Sequence, residues 1–148
     1  MKTLHLGVID LPYSDTPGVT TGDVAKILEA KYGVMAAFYR RHKTEIQQAI
    51  KASLQGQMRS VMAGKPLNSD PFARACSQID DMFKEFLSAS KIEGMGIKGV
   101  PTKAALDGVS HRFKKGKNKG KKRRGNGVRR PSFIDTDTYQ AAEKSWVD

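Results

Sequence analysis

Cysteine is almost missing from this chain: Cys76 stands alone among 148 residues. No disulfide can close within the chain, and nothing points to an oxidising compartment. Its place on a helical apolar stripe makes it a core residue rather than a reactive thiol. No apolar run approaches the ~18 residues that a membrane span needs. Near the N-terminus Gly7 and Asp10 interrupt the apolar residues too early for a signal peptide, so synthesis inside the cell, without membrane insertion, is expected. The most informative absence is acid. From His111 to Arg130 there is neither Asp nor Glu.

The same stretch holds eleven basic residues: Arg112, Lys114, Lys115, Lys117, Lys119, Lys121, Lys122, Arg123, Arg124, Arg129 and Arg130. Taking these eleven from the 26 Lys and Arg leaves 15, which the 15 Asp and Glu balance. The net charge of +11 therefore resides in one segment. Like charges repel, and Lys114 to Arg124 offers no apolar side chain to offset the entropy of ordering, so the segment reads as a flexible loop. Its eleven side chains are the candidate binding residues, for nucleic acid or for an acidic protein face. Phe113 is the one aromatic among them, so base stacking is poorly supplied, and glycines keep the arginines from fixed base edges. Binding without sequence preference is expected.

The rest reads as a single domain, mainly α, with an extended arm over 1–19, a helical core over 20–93, a glycine hinge and short helix over 94–110, the basic loop over 111–130 and a C-terminal helix over 131–148. Leu4, Leu6 and Val8 alternate, predicting a short strand or arm before Pro12, Pro17 and Gly18. Thr20 and Asp23 have capping-box spacing ahead of Val24, Ile27, Leu28 and Tyr32, which predicts a first helix ending at Gly33. Met35, Phe38, Tyr39, His42, Ile46, Ala49, Ile50, Leu54, Met58, Val61 and Met62 then recur at steps of three and four. They predict a helix of about 30 residues, roughly 45 Å long, with Gly56 marking a kink or a close crossing. Asp70 and Pro71 read as the N-cap and first position of a second helix to Ser90, carrying Phe72, Ala75, Cys76, Ile79, Phe83, Phe86 and Leu87. The short connection between the two predicts an antiparallel hairpin. Because the first helix outruns the second, apolar residues near one end need cover, and self-association is expected. Thr102 can cap a short helix with Leu106, Val109 and Phe113 on its buried side. Asp135 or Thr136 can cap a last helix holding Tyr139, Ala142 and Trp146.

Catalysis, cofactors and metals are not expected. Gly94-Met-Gly-Ile-Lys-Gly99 spells the dinucleotide fingerprint, but a helix precedes it and Val100-Pro101 follows where a strand and a helix are required. Gly116 to Lys122 has P-loop flavour, yet its glycines are one residue too close and no Ser or Thr follows the lysine. His5, His42 and His111 are far apart and lack a second ligand at metal spacing. Asp80 and Asp81 are neighbours, about 100° apart on a helix, and cannot act as a dyad. His42 reads as a core or interface residue.

Arg130-Pro-Ser-Phe-Ile-Asp-Thr-Asp-Thr-Tyr-Gln-Ala-Ala-Glu-Lys-Ser-Trp146 resembles the closing segment of tailed-bacteriophage neck and tail-completion proteins. Those often end in a Pro-apolar-apolar-Asp-Thr-Gly-x-Leu/Tyr stretch after a variable basic loop. Pro101 to Arg112 resembles the part preceding that loop, so the likeness covers roughly the last third, with fainter support from the long-helix half. The chain departs at Asp137, where the family commonly has Gly. That favours a helix N-terminus, with Asp135 and Asp137 facing its dipole, over a tight turn. The resemblance implies a structural virion protein, made in the host cytoplasm, that forms a homo-oligomeric ring around the DNA channel between capsid and tail. Its implied partners are further copies of itself, other neck, portal-side connector or tail proteins, and duplex DNA. The rival reading from the residues is a small non-specific DNA- or RNA-binding accessory protein.

Overall fold

In the computed structural model, which describes residues 2–14, 17–110, 123–124, 128–134 and 138–148, the first helix begins at the capping box. The Asp23 N–H donates to Thr20 Oγ1 at 3.2 Å and the Thr20 N–H to the Asp23 carboxylate at 3.3 Å, which satisfies two otherwise orphaned donors. α1 (Thr21–Tyr32) stops at Gly33, whose φ of 60° lies where glycine is unstrained. The next helix, α2 (Val34–Met62), follows at once. Its first turn is capped by Glu29, whose carboxylate accepts from the N–H groups of Met35 at 2.7 Å and Ala36 at 3.2 Å.

α2 holds 29 residues, ~43 Å at 1.5 Å per residue. α3 (Ala73–Ser88) holds 16, ~24 Å on the same rise, and lies antiparallel to it. Phe38, early in α2, meets Phe83 and Phe86, late in α3, with ring centroids 5.1 and 5.6 Å apart. Ser53, well along α2, donates its hydroxyl to the Pro71 carbonyl at 2.7 Å, just ahead of α3. The hairpin is as expected, but α3 starts at Ala73 rather than Pro71. Asp70 Oδ1 does accept from the Phe72 N–H at 2.9 Å, and Pro71 and Phe72 form a turn before the helix proper.

The kink is not at Gly56, where an added Cβ would meet nothing within 4 Å. It falls at His42 (φ −108°, ψ 16°), whose imidazole is wedged between Phe38 and Phe86 at 5.2 and 5.8 Å. Only the first half of α2 is core. Val34, Phe38 and Ile46 pack with Ile79, Phe83, Phe86 and Leu87, whereas Leu54, Met58, Val61 and Met62 are 42–86% exposed. The predicted stripe is continuous in sequence, yet α3 is too short to cover its far end. Tyr39 also lies outside the core.

The largest departure is at the C-terminus. α5 (Thr138–Ala141) is a single turn, and the chain then straightens into β4 (Glu143–Val147). β4 pairs antiparallel with β1 (Leu4–Val8), Leu4 opposite Val147 and Val8 opposite Glu143. A lone N-terminal strand cannot satisfy its backbone groups, and the last residues supply the missing partner. Beneath the helical spacing of Tyr139, Ala142 and Trp146 lies a period of two: Glu143 and Ser145 are buried, Lys144 and Trp146 exposed. Trp146 stacks on His5 at 5.2 Å and lies over Gly7, where a Cβ would come within 3.0 Å of its ring. β4 packs on α3, and β1 reaches α1.

The glycine-rich stretch after α3 is packed in place rather than left as a free joint. Lys91–Met95 form a 3-10 turn that buries Ile92 completely. Thr102 caps α4 (Lys103–Leu106) by accepting from the Ala105 N–H at 3.2 Å. Ala105, not Leu106, faces inward. The helix ends before Val109, which enters a strand, and Phe113 lies outside the described residues.

The burial pattern separates two substitutions of similar size on one helix. Phe38→Ala is expected to lower the unfolding free energy by about 3–5 kcal/mol. Met58→Ala should change that of the dilute protein by less than about 0.5 kcal/mol. Urea unfolding followed by circular dichroism checks both. Equal losses would show that the end of α2 is buried within the monomer.

Candidate nucleic-acid interface

The basic stretch leaves the body through a short stem. β2 (Val109–Ser110) pairs antiparallel with β3 (Arg123–Arg124), Val109 opposite Arg124 and Ser110 opposite Arg123. The two ends of residues 111–122 are thereby held side by side. Seven of the predicted site residues, Arg112, Lys114, Lys115, Lys117, Lys119, Lys121 and Lys122, lie outside the described residues, as do the proposed caps Asp135 and Thr136, and Asp137.

Below the stem the return strand is bound to the body through Gly108, Ala105 and Glu93. Gly108 has φ of 60°, and a Cβ there would lie 2.3 Å from the Val128 carbonyl oxygen, so two backbone segments touch where no side chain fits. The Arg130 N–H donates to the Ala105 carbonyl at 3.1 Å, and the Arg130 guanidinium to the Ile134 carbonyl. Arg129 reaches Glu93 at 2.6 Å. The stretch is therefore not wholly uncompensated, because Glu93, far upstream, neutralises one of its eleven charges.

Glu93 is the centre of this anchor. Its carboxylate also accepts from the Ser132 N–H at 3.0 Å and hydroxyl at 2.8 Å, and Ser132 in turn accepts from the Thr102 N–H at 3.1 Å. Burial alone would raise its pKa, but the hydrogen bonds from Ser132 and Arg129 outweigh it and hold the carboxyl below the usual range. Arg129 and Arg130 thus fasten the loop, while the stem places Arg123 and Arg124 at its mouth. Glu93 escaped the sequence reading because its partners lie more than 35 residues away.

A second polar cluster joins β4 to α3. Asp80 accepts from the Ser145 N–H at 2.9 Å, the Ser145 hydroxyl at 2.5 Å and the Lys144 ammonium at 2.9 Å. Asp81 is exposed and lies 3.8 Å from Lys84, so the adjacent pair separates as expected. Cys76 is buried, which pushes its thiol pKa up and keeps it a poor nucleophile. His42 is 8% exposed, and burial lowers its pKa. Its Nε2 has no hydrogen-bond partner, so it is a core residue but an incompletely satisfied one. Glu143 is 3% exposed with neither carboxyl oxygen hydrogen-bonded. Burial, reinforced by the Asp80 charge, pushes its pKa up to about 8. Among the described residues, no group of three or more His, Cys, Asp or Glu is placed to hold a metal ion, and no helix is long and apolar enough to cross a membrane.

Comparison with protein-family models, curated proteins and solved structures returns no match. The functional reading therefore rests on the residues themselves.

Two outcomes follow from these anchors. Gly108→Val should cost at least about 1–3 kcal/mol, read as a lower urea midpoint, because it adds a side chain at positive φ against the Val128 carbonyl. Glu143 acts through pH. The folded protein keeps its proton up to about 8, whereas the unfolded chain releases it near ~4.3. Its contribution is thus complete below the unfolded value and drains as pH rises toward 8, at up to about 1.4 kcal/mol per unit. Glu143→Gln should flatten this fall, gaining stability over the native protein at pH 8 relative to pH 5. Parallel profiles for the two proteins would refute the assignment.

Proposed function

We propose that this chain is a structural subunit of the bacteriophage neck, joining the capsid or portal side to the tail as a ring around the DNA channel. The observation that carries the reading is the concentration of eleven basic side chains in one stretch of an otherwise charge-balanced chain. Such a segment attracts phosphates through counterion release, and does so without reading sequence. The stem supports it, since β2 and β3 hold both ends of residues 111–122 together on a firmly anchored base. The helical body supports it too, because the uncovered end of α2 suits contact between subunits. The resemblance over the last third supplies the setting: a virion protein whose loop meets the passing DNA or an adjacent acidic ring.

Deleting Lys114 to Arg124 tests the loop. Salt-sensitive binding to duplex DNA should be abolished, with helicity retained. In the intact protein, if about five charges meet phosphates at once, log K should fall against log salt with a slope of roughly −4 to −5 for any sequence. Unchanged DNA affinity after the deletion would assign the loop to an acidic protein surface, and a strictly monomeric intact protein at tens of micromolar would favour the accessory-protein reading.

A further inference from the structure

β1 belongs to a two-stranded sheet, and the direction of its backbone groups follows from its register. Thr3 and Asp148 exchange N–H to carbonyl bonds at 3.0 and 3.2 Å, and the Ile9 N–H donates to the Ala142 carbonyl at 2.7 Å. In an antiparallel ladder such bonded pairs alternate with unbonded ones. His5 and Gly7 therefore also face β4, while Leu4, Leu6 and Val8 turn their N–H and carbonyl groups away from it. The same alternation turns the Ser145 N–H away from β1, and there it meets Asp80 at 2.9 Å. The outer edge of β4 is thus met by α3. The outer edge of β1 has no backbone partner among the described residues.

Open edges are commonly protected by a charge, a proline, a bulge or brevity. β1 lacks the first three. Leu4-His-Leu-Gly-Val8 contains no Asp, Glu, Lys, Arg or Pro, and it pairs with β4 residue for residue without a bulge. Leu4, Leu6 and Val8 are half-buried against the core, so the strand is fixed in place. An ordered, uncharged edge of this kind is a template for one more strand.

The segment complements itself. With a second β1 antiparallel and Leu6 opposite Leu6, Leu4 falls opposite Val8, and every outward N–H of both strands reaches a carbonyl. His5 falls opposite Gly7, which adds no side chain of its own. One step beyond each end, exposed Lys2 falls opposite exposed Asp10, and opposite charges so placed attract. Asp10 is held ionised by hydrogen bonds from Thr20 and Gly22, with Lys26 contributing least. A shift of two residues either way would set Leu4 against Asp10 or Val8 against Lys2, so the centred register is the favoured one.

We propose that the outer edge of β1 pairs antiparallel with the same edge of a second copy of this chain, giving one sheet of order β4-β1-β1-β4 about a two-fold axis. Such an isologous contact joins subunits in pairs and does not itself close a ring. It goes beyond the neck reading and stands without it.

Amide hydrogen exchange resolved residue by residue on the full chain separates the two edges of β1. Raising the concentration from the dilute range to tens of micromolar should slow exchange at Leu4, Leu6 and Val8, whereas His5 and Gly7, bonded to β4, stay protected throughout. Sedimentation over the same range should show monomers giving way to dimers. Lys2→Glu or Asp10→Lys sets like charges opposite each other twice per dimer, and each alone should weaken pairing by about tenfold. Mixed, the two variants should form 1:1 dimers, since each offers the other its complement. Circular dichroism verifies their folds, and should Asp10→Lys loosen α1, the exchange pattern of the unaltered chain decides alone. Monomers at tens of micromolar, or dimers in which Leu4, Leu6 and Val8 exchange as fast as in the monomer, would overturn the inference. So would protection at those three amides that is independent of concentration, which would place their partner within the chain. None of these outcomes bears on the loop deletion, which tests the neck reading with β1 intact.

Discussion

Phe38 set against Phe83 and Phe86 decides where the two long helices meet, and the rest of the molecule is arranged around that meeting. The contact joins the early part of α2 to the late part of α3, so the shorter helix is used up while much of the longer one still projects. His42 is drawn into the same cluster, and the helix bends there rather than at its glycine. The buried volume is therefore asymmetric. One end of the hairpin holds Val34, Ile92 and Tyr139 around the aromatic cluster, and the other is the end of α2 with the connection to α3 alongside, through Asn68 and Pro71.

Local features were legible in the sequence because their causes are local. The Thr20–Asp23 box, the Gly33 stop, the two apolar stripes and the Thr102 cap each depend on residues within one or two turns. What escaped depends on distant residues. Trp146 has the spacing of a helix with Tyr139 and Ala142, and only the arrival of β1 with Gly7 opposite its ring makes an extended chain the better state. The extent of the core along α2 was hidden likewise, since periodicity shows which face is apolar but not how far a partner reaches.

The candidate interface divides in the same way. The basic stretch announces itself through composition, and all eleven positions could be named from it. Composition does not tell which charges are occupied by the protein. Arg129 and Arg130 look in sequence like the other basic residues of the stretch, yet Glu93 engages the first and the Ile134 carbonyl the second. Glu93 thus neutralises one anchoring arginine, Arg129, at the base of the stretch.

The pairing of β1 with β4 brings almost the first and almost the last residues of the chain into one ladder. During synthesis Leu4 to Val8 emerge early and have no partner until Glu143 to Val147 have been made. The helical hairpin, whose contacts are closer in sequence, can form while the first strand still waits. The same late pairing brings Glu143 and Ser145 onto α3, so the inner face of β4 and the Asp80 network are completed together as a closing step. A ribosome-bound chain would therefore present the hairpin before the sheet, with the strand pair and its His5–Trp146 stack set in place only once translation has passed β4.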